Sequence, residues 1–472
     1  MNNPLSTRLA VAVILIAISA VARVEAAGEK AADRPNLVLL VADDLGWADV
    51  SFHGGEIPTP AIDRIAQEGV KLERFYVCPV CSPTRAGLMT GRWPLRVGIM
   101  RTVIPPWRRW GLPPGEKTLA ELVADAGYRR RAIIGKWHLG HCDRKYHPLN
   151  QGFTYFYGHY NGAIDYWTHQ REGEVDWHRN FDTVHEEGYS TDLIGAEAVR
   201  FIHESPAGEP FFLYVPFNAP HSPFQAHDED VRRFAHIENK RRRIYAAMVV
   251  ALDRAVGTIL DALDRRGLAD ETFVLFFSDN GGVERVADNG PLRAGKATVY
   301  EGGIRVAAAA RWPDGGIRGG GSIDGPIGYI DVYPTVKRIV GLADAADPNP
   351  LDGVDVLDVL RGKAEPPSRD WLSYLSMTDP VEHISLIAGR HKLNAHGPSV
   401  LEETPQGDRE LELFDLEQDP YEARNLIDDH PELVRPMLQK LRALRRQKID
   451  GVGPYGEGRE GFQAPKDWVI GP

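Results

Sequence analysis

The chain has 472 residues, 43% of them hydrophobic, and a formal net charge of −11. That length supports one large buried core with room for a smaller companion, and the acidic balance excludes general nucleic-acid binding. Cys78, Cys81 and Cys142 are too few for a disulfide scaffold.

The start of the chain reads as an export signal. Arg8 precedes an apolar run from Leu9 to Ala20, and Val24-Glu25-Ala26 is a small-residue cleavage site, so residues 1–26 are expected to be a signal peptide. The run is short for a membrane span and no other stretch reads as one. An exported protein, periplasmic or secreted, with no membrane span after signal removal is expected.

Beyond it, apolar runs alternate with helical stretches, which is the pattern of an α/β domain with a mainly parallel sheet. The runs Asn36–Ala42, Arg131–Ile134, Phe211–Val215 and Thr272–Ser278 read as buried strands. They lead in turn to Asp43-Asp44, to Gly135-Lys136-Trp137-His138, to Asn218-Ala219-Pro220-His221 and to Asp279-Asn280-Gly281-Gly282. Open α/β sheets bind ligands beyond the carboxyl ends of their strands, so these endings predict one shared site. Helices are expected over Ala61–Gly69, Lys117–Gly127 and Ile244–Leu263, the last with Val249, Leu252, Val256, Ile259 and Leu260 at core spacing. Asp253 within it reads as structural. The basic runs Arg129–Arg131 and Lys240–Arg243 read as solvated faces, and Gly315–Gly321 as a loop without the strand-and-helix context of a phosphate cradle.

Between the first two strands lies Cys81-Ser82-Pro83-Thr84-Arg85-Ala86-Gly87-Leu88-Met89-Thr90-Gly91-Arg92. It reads as a short helix with Ser82 as N-cap, Pro83 at the first helical position and Gly91 as a left-handed stop. Cys81 then lies at the positive end of the helix, and Arg85, one turn on, shares its face. An anion held at Cys81 would meet a dipole, free N–H groups and a fixed cation.

Composition changes after Leu351-Asp352-Gly353, and Pro366-Pro367 is a plausible linker. This divides the chain into residues 27–367 and a C-terminal subdomain, 368–472. Trp371–Ser376, Ile384–Gly389 and Leu411–Leu416 suggest a small antiparallel sheet, covered by a helix from Pro431 to Gln447.

The candidate chemistry follows from residue types. Asp43, Asp44, Asp279 and Asn280 are hard oxygen donors, a set that prefers Ca²⁺ or Mg²⁺ to zinc. A thiol at Cys81 suits such a metal poorly, whereas an oxygen there would suit it well. His53, His141, His147, His159, His185 and His203 read as surface or turn residues rather than ligands.

Cys81-x-Pro83-x-Arg85 followed by Thr90-Gly91-Arg92 resembles the signature of the formylglycine-dependent sulfatases. Leu292-Arg293-Ala294-Gly295-Lys296, Glu301-Gly302-Gly303-Ile304-Arg305, and the pattern from Glu410-Leu411 through Asp419-Pro420 to Asn425-Leu426 extend the likeness over nearly the whole mature chain. The resemblance implies an alkaline-phosphatase-like sandwich. It implies that a formylglycine-generating enzyme oxidises Cys81 to 3-oxoalanine (formylglycine), whose hydrate is both nucleophile and ligand of the metal. Arg85 would then stabilise the diol, and Lys136 and Lys296 would neutralise sulfate oxygens. His138 would hydrogen-bond the second hydroxyl, and His221 would protonate the leaving alcohol.

Within the family, Gly135–Gly140, Asp165–His169 and Pro291-Leu292-Arg293 resemble the N-acetylgalactosamine-4-sulfatase (arylsulfatase B) group, which implies a sulfated carbohydrate substrate. Aromatic and His residues of Tyr160–His169 could stack on a sugar or pack on one another. Cys78 is not expected from that group and leaves room for a local disulfide, for pairing with Cys142, or for free thiols. Two other readings stand beside the sulfatase. A phosphatase or phosphodiesterase of the same superfamily is disfavoured by Cys81 and by the scarcity of His beside the acids. A non-catalytic glycan-binding relative should have lost Cys81, Arg85, Lys136 or His221, and none is missing.

Overall fold

The computed structural model describes residues 34–402 and 408–471. The expected signal peptide lies outside the described residues. Strand β1 (Asn36–Ala42) runs through the middle of a ten-stranded sheet and explains why the molecule has two layers of core. Successive side chains of a strand point to opposite faces. Leu37, Leu39 and Val41 accordingly enter one apolar cluster, while Val38, Leu40 and Ala42 enter the other.

In chain order the other strands of this sheet begin with β2 (Val70–Leu72), β3 (Arg130–Lys136), β4 (Tyr155–His159), β5 (His178–Arg179) and β6 (Asp182–Thr183). They continue with β7 (Phe211–Pro216), β8 (Thr272–Ser278), β9 (Ala308–Arg311) and β10 (Gly321–Ile323). The spatial order is β10-β2-β9-β8-β1-β7-β3-β4-β5-β6. From β8 through β1, β7 and β3 to β4 every pairing is parallel, whereas β9 runs antiparallel to β8 and β2 to β9. All four strand runs expected from the sequence therefore lie side by side, with their carboxyl ends on one edge.

Helix α1 (Pro60–Glu68), α4 (Ser190–Glu204) and α5 (Lys240–Arg265) cover the Val38–Leu40 face through Ile62, Ile65, Ile194, Phe201, Leu252 and Ile259. Helix α2 (Cys81–Thr90) and α3 (Leu119–Asp125) cover the other face. Asp253 of α5 is structural, as read: its carboxylate accepts from Ala61 N at 3.0 Å and Ile62 N at 2.8 Å, so one helix caps another.

The C-terminal part builds an antiparallel sheet of β11 (Asp370–Leu375), β12 (Glu382–Ala388), β13 (His391–Gly397) and β14 (Glu410–Asp415), with α6 (Pro431–Arg445) against it. Its Trp371, Leu386 and Leu393 share the core cluster of α2 and α3. Among the described residues no helix is long and apolar enough to cross a membrane.

The basic runs are less free than a solvated face implies. Arg242 pairs with Asp49 at 2.5 Å and Glu56 at 3.0 Å, and Arg131 donates to the Gly152 carbonyl at 2.6 Å.

Candidate active site

The parallel strands deliver their terminal residues to one place because their ends are cross-linked through the backbone. Asp43 N donates to Ala219 O at 3.0 Å, and Asp279 N donates to Ala42 O at 3.0 Å. The loop after β8 is tied in turn to the segment before α2, with Lys296 N on Gly282 O at 3.0 Å and Ala297 N on Pro79 O at 2.9 Å. Asp44 has a φ of 69°, and Tyr245 braces this turn with a hydroxyl that lies 2.9 Å from the Asp49 carboxylate and 3.2 Å from the Asp44 carbonyl.

Helix α2 begins two residues earlier than its sequence suggests. Val80 occupies the N-cap position without a side-chain bond, so Ser82 is not the cap. The Ser82 hydroxyl instead donates to His138 O at 2.9 Å and accepts from Ile104 N at 3.1 Å, where it pins the His138 segment to the helix. Gly91 does end the helix in the left-handed region, with a φ of 66°. Cys81 is thereby the first helical residue, and Arg85 lies on the next turn.

Around Cys81 the charges interlock. Its sulfur lies 3.5 Å from Asp43 Oδ1 and 3.8 Å from Lys296 Nζ. Lys136 Nζ contacts Asp43 Oδ2 at 2.6 Å, and Lys296 Nζ contacts both Asp44 oxygens at 2.6 and 2.8 Å. Arg85 sends Nε and Nη2 to Asp279 Oδ2 at 2.9 and 2.7 Å and Nη1 to the Lys136 carbonyl at 2.8 Å. Asn280 Nδ2 donates to Asp44 Oδ1 at 2.8 Å. His221 Nε2 lies 3.5 Å from Asp44 Oδ2. The structure therefore joins Asp43, Asp44, Cys81, Arg85, Lys136, His221, Asp279, Asn280 and Lys296 in one contact network.

His138 lines the same cleft as Cys81 and His221. Its Nε2 donates to Ile104 O at 3.2 Å, which leaves Nδ1 as a buried acceptor without a protein partner. The His221 Nδ1–H donates to Ser222 O at 2.6 Å, so Nε2 is the nitrogen left for chemistry. Tyr166 holds that loop, its hydroxyl within 2.6 Å of Asn218 O and 2.7 Å of His221 O.

Burial and like charge set the protonation pattern. Burial, with help from Asp279 and Asp44 and against Lys136, pushes Asp43 up to about 7. Burial opposes the charge on Asp44 as well, yet His221 and Lys296 hold it below the usual carboxylate range. The Cys81 thiol is pushed up to about 12, by burial first and Asp279 second, so the unaltered side chain is a thiol and a weak nucleophile. His138 is held well below the ordinary imidazole range by burial and by Lys136 and Arg85. Burial and the two lysines lower His221 to about 3, against the pull of Asp44.

The donor set fits a divalent cation. Asp43, Asp44, Cys81 and His221 offer ligand atoms within 4.8 Å of one another. Asp279 Oδ1 and Asn280 Oδ1 are buried acceptors with no hydrogen-bond donor, a situation that costs about 1–3 kcal/mol per atom unless a cation satisfies it. These are hard carboxylate and amide oxygens, which suit Ca²⁺ or Mg²⁺.

Other expectations are corrected. His141, His147 and His159 are buried, not surface residues, and each bonds a backbone carbonyl. Tyr160, Tyr166 and His169 pack internally at 1% exposure, so Trp167, at 41%, is the ring of that loop that solvent reaches. No disulfide joins Cys78, Cys81 and Cys142; Cys78 Sγ contacts Tyr329 OH at 3.1 Å. The cleft above Cys81, about 530 Å³, is also lined by Arg171, Met377 and Tyr455. These come from remote segments, and no sequence pattern marks them.

With this geometry in hand, the relatives are informative. A family model described as Sulfatase matches residues 35–342. Arylsulfatase J of Mus musculus is 30% identical over 470 residues, covering 90% of this chain and 78% of its own length. N-acetylgalactosamine-6-sulfatase of Mus musculus is 35% identical over 354 residues, 69% of this chain and 66% of its own. Among solved structures, Ps i-CgsB in complex with k-i-k-neocarrahexaose superposes with a TM-score of 0.81 at 32% identity, covering 90% of this chain and 96% of that one.

Proposed function

The chain belongs to the sulfatase family and is a sulfuric ester hydrolase, and from that premise we propose that it hydrolyses sulfate esters of a sulfated carbohydrate with residue 81 as nucleophile. The observation that carries the reading is the placement of Cys81 on the cleft wall, 3.5 Å from Asp43 and 3.8 Å from Lys296. Burial and Asp279 push the Cys81 thiol upward, which makes it a weak nucleophile unaltered. Conversion by a formylglycine-generating enzyme would supply an aldehyde whose hydrate offers an oxygen nucleophile.

A Ca²⁺ or Mg²⁺ held by Asp43, Asp44, Asp279 and Asn280 would add fixed positive charge beside position 81. The chain's own residues do the rest. Arg85, immobilised by Asp279 and the Lys136 carbonyl, fixes a cation one turn from residue 81. Lys136 is fully buried on Asp43 and tunes that carboxylate, while Lys296, on the cleft wall, receives sulfate oxygens. His138 Nδ1, an acceptor without a partner, takes a proton from the nucleophile's second hydroxyl. His221 Nε2, on the same cleft, hands a proton to the leaving alcohol once the imidazole is protonated. Burial first, and then Lys296 and Lys136, keep that imidazole neutral; an anionic sulfate bound beside it would offset the two lysines and favour the protonated form.

A sulfated amino sugar is the favoured substrate. The motif likeness to the 4-sulfatase group points to position 4, whereas the relative named for N-acetylgalactosamine-6-sulfatase points to position 6, so both esters belong in the assay. The Arg8-to-Ala26 segment supports export, and cell fractionation tests it. The functional test is sulfate release from a panel of sulfated oligosaccharides by protein made together with the modifying enzyme. Release by the native chain and a loss of about a thousand-fold or more in Cys81→Ala are expected. Full activity in Cys81→Ala overturns the mechanism.

A further inference from the structure

We propose that Arg171 forms a second anion-binding position in the substrate cleft, selecting sulfate esters that carry another anionic group, a sulfate or a carboxylate, on the same or the adjoining sugar. The proposal rests on the sulfatase reading above and deepens it. At about 530 Å³ the cleft has space well beyond one sulfate group. Although the chain as a whole is strongly acidic, with a net charge of −11, no Asp or Glu lines this cleft among the described residues. The permanent cations on its wall are Lys296 and Arg171. Lys296 is engaged at the reacting end by Asp44 and lies beside Cys81. Arg171 is not committed in this way.

Its ionic partner is its own neighbour Glu172, with Nε to Oε1 at 3.4 Å and Glu172 41% exposed. Such a pair contributes little and yields readily to a ligand. Arg171 Nε makes no hydrogen bond of good geometry to the Glu172 carboxylate despite the 3.4 Å separation, and the side chain as a whole is 26% exposed, so the guanidinium has donors left for a ligand. The guanidinium fork matches the paired oxygens of sulfate or carboxylate. Its backbone is also braced. The strand pair Gln170–Arg171 and Glu174–Val175 forms a short hairpin. The Arg171 carbonyl accepts from the buried Trp468 Nε1 at 2.9 Å, and Glu174 accepts from Asp467 N at 3.0 Å. The chain's C-terminal segment thus holds the hairpin from behind, the kind of support that makes a binding group specific rather than merely attractive. Val103, Pro105, Pro106 and Ala163 line the same cleft and supply apolar wall on which the C–H face of a sugar ring can lie.

The test compares kcat/KM for N-acetylgalactosamine monosulfate, the corresponding disulfate, and the monosulfate linked to glucuronic acid. Where turnover is absent, inhibition of aryl sulfate hydrolysis is read instead. The native enzyme is expected to favour a doubly anionic probe by about ten-fold or more, and which of the two it favours distinguishes sulfate from carboxylate. Arg171→Gln should bring that ratio close to one, chiefly through KM, and Arg171→Lys should retain part of it. A ratio near one in the native enzyme, or an unchanged ratio in Arg171→Gln, overturns the proposal. Failure of the Cys81-converted enzyme to hydrolyse any sulfate ester would instead strike the reading on which it rests.

Discussion

Asp43, Asp44 and Asp279 crowd three carboxylates around one sulfur, with Lys136, Lys296 and Arg85 each bound to one of them. At this scale the residue identities were legible in the sequence, because polar endings on successive buried strands announce a shared edge. Their division of labour was not, since it depends on side-chain contacts between segments far apart in the chain. Lys136 and Lys296 look alike as sequence, yet the first is fully buried and the second reaches the cleft. Lys296→Met is therefore expected to lower kcat/KM by about a hundred-fold, the scale seen when one transition-state donor is removed. Steady-state kinetics on an aryl sulfate checks this. The orphaned oxygens of Asp279 and Asn280 give a second expectation: added Ca²⁺ should raise the melting temperature of the native protein. Asp44→Asn should weaken that rise and lower the metal content found by elemental analysis. A native melting temperature indifferent to Ca²⁺, Mg²⁺ and chelator would contradict a resident cation.

The strands and helices follow apolar periodicity where the pattern is dense, and escape it where burial is achieved by small or polar residues. Strand β9 is built on Ala308-Ala309-Ala310, residues of weak strand preference that fit because both faces are covered. Strand β13 reads as polar, His391 to Gly397, yet Leu393 and Ala395 alternate into the core. Ser82 shows the limit of capping rules, since a tertiary partner outcompetes the local cap. Two elements give measurable expectations. Gly91→Ala should destabilise by about 1–2 kcal/mol from the left-handed backbone alone. The new Cβ would also meet Tyr333 Cβ at 2.8 Å. Asp253, pushed up to about 6 by burial against the pull of two backbone N–H groups, gives a pH signature. Its folded value exceeds the ordinary 3.8, so the folded state binds the proton more tightly and stability falls as pH rises across that window. Asp253→Asn keeps the cap and should flatten this part of the pH–stability curve. Asp253→Ala loses the cap and should cost about 1–3 kcal/mol in denaturant unfolding.

Across the whole molecule, the C-terminal sheet does more than cover a face. Lys392 of β13 lies fully buried between Glu301 at 3.0 Å and Glu422 at 2.8 Å. Glu301 begins the turn whose Gly302 N bonds Arg293 O at 2.9 Å and whose Gly303 O accepts from Gly281 N at 3.0 Å. This turn closes the loop that carries Lys296. Lys392→Met would remove the cation that two buried carboxylates share, leaving Glu301 with Arg305 at 4.0 Å and Glu422 with the Glu301 N–H, and is expected to destabilise by about 3–5 kcal/mol. Loss of activity should precede global unfolding as denaturant is raised. The segments that meet at Cys81 are held by such long-range ties, and under the function proposed above they present residue 81 as an oxygen nucleophile. The most direct measurement is the mass of the Cys81 peptide in a series of preparations, set against specific activity on a sulfate ester. Activity proportional to the fraction carrying the aldehyde is expected; full activity in a preparation whose Cys81 is wholly thiol would contradict it.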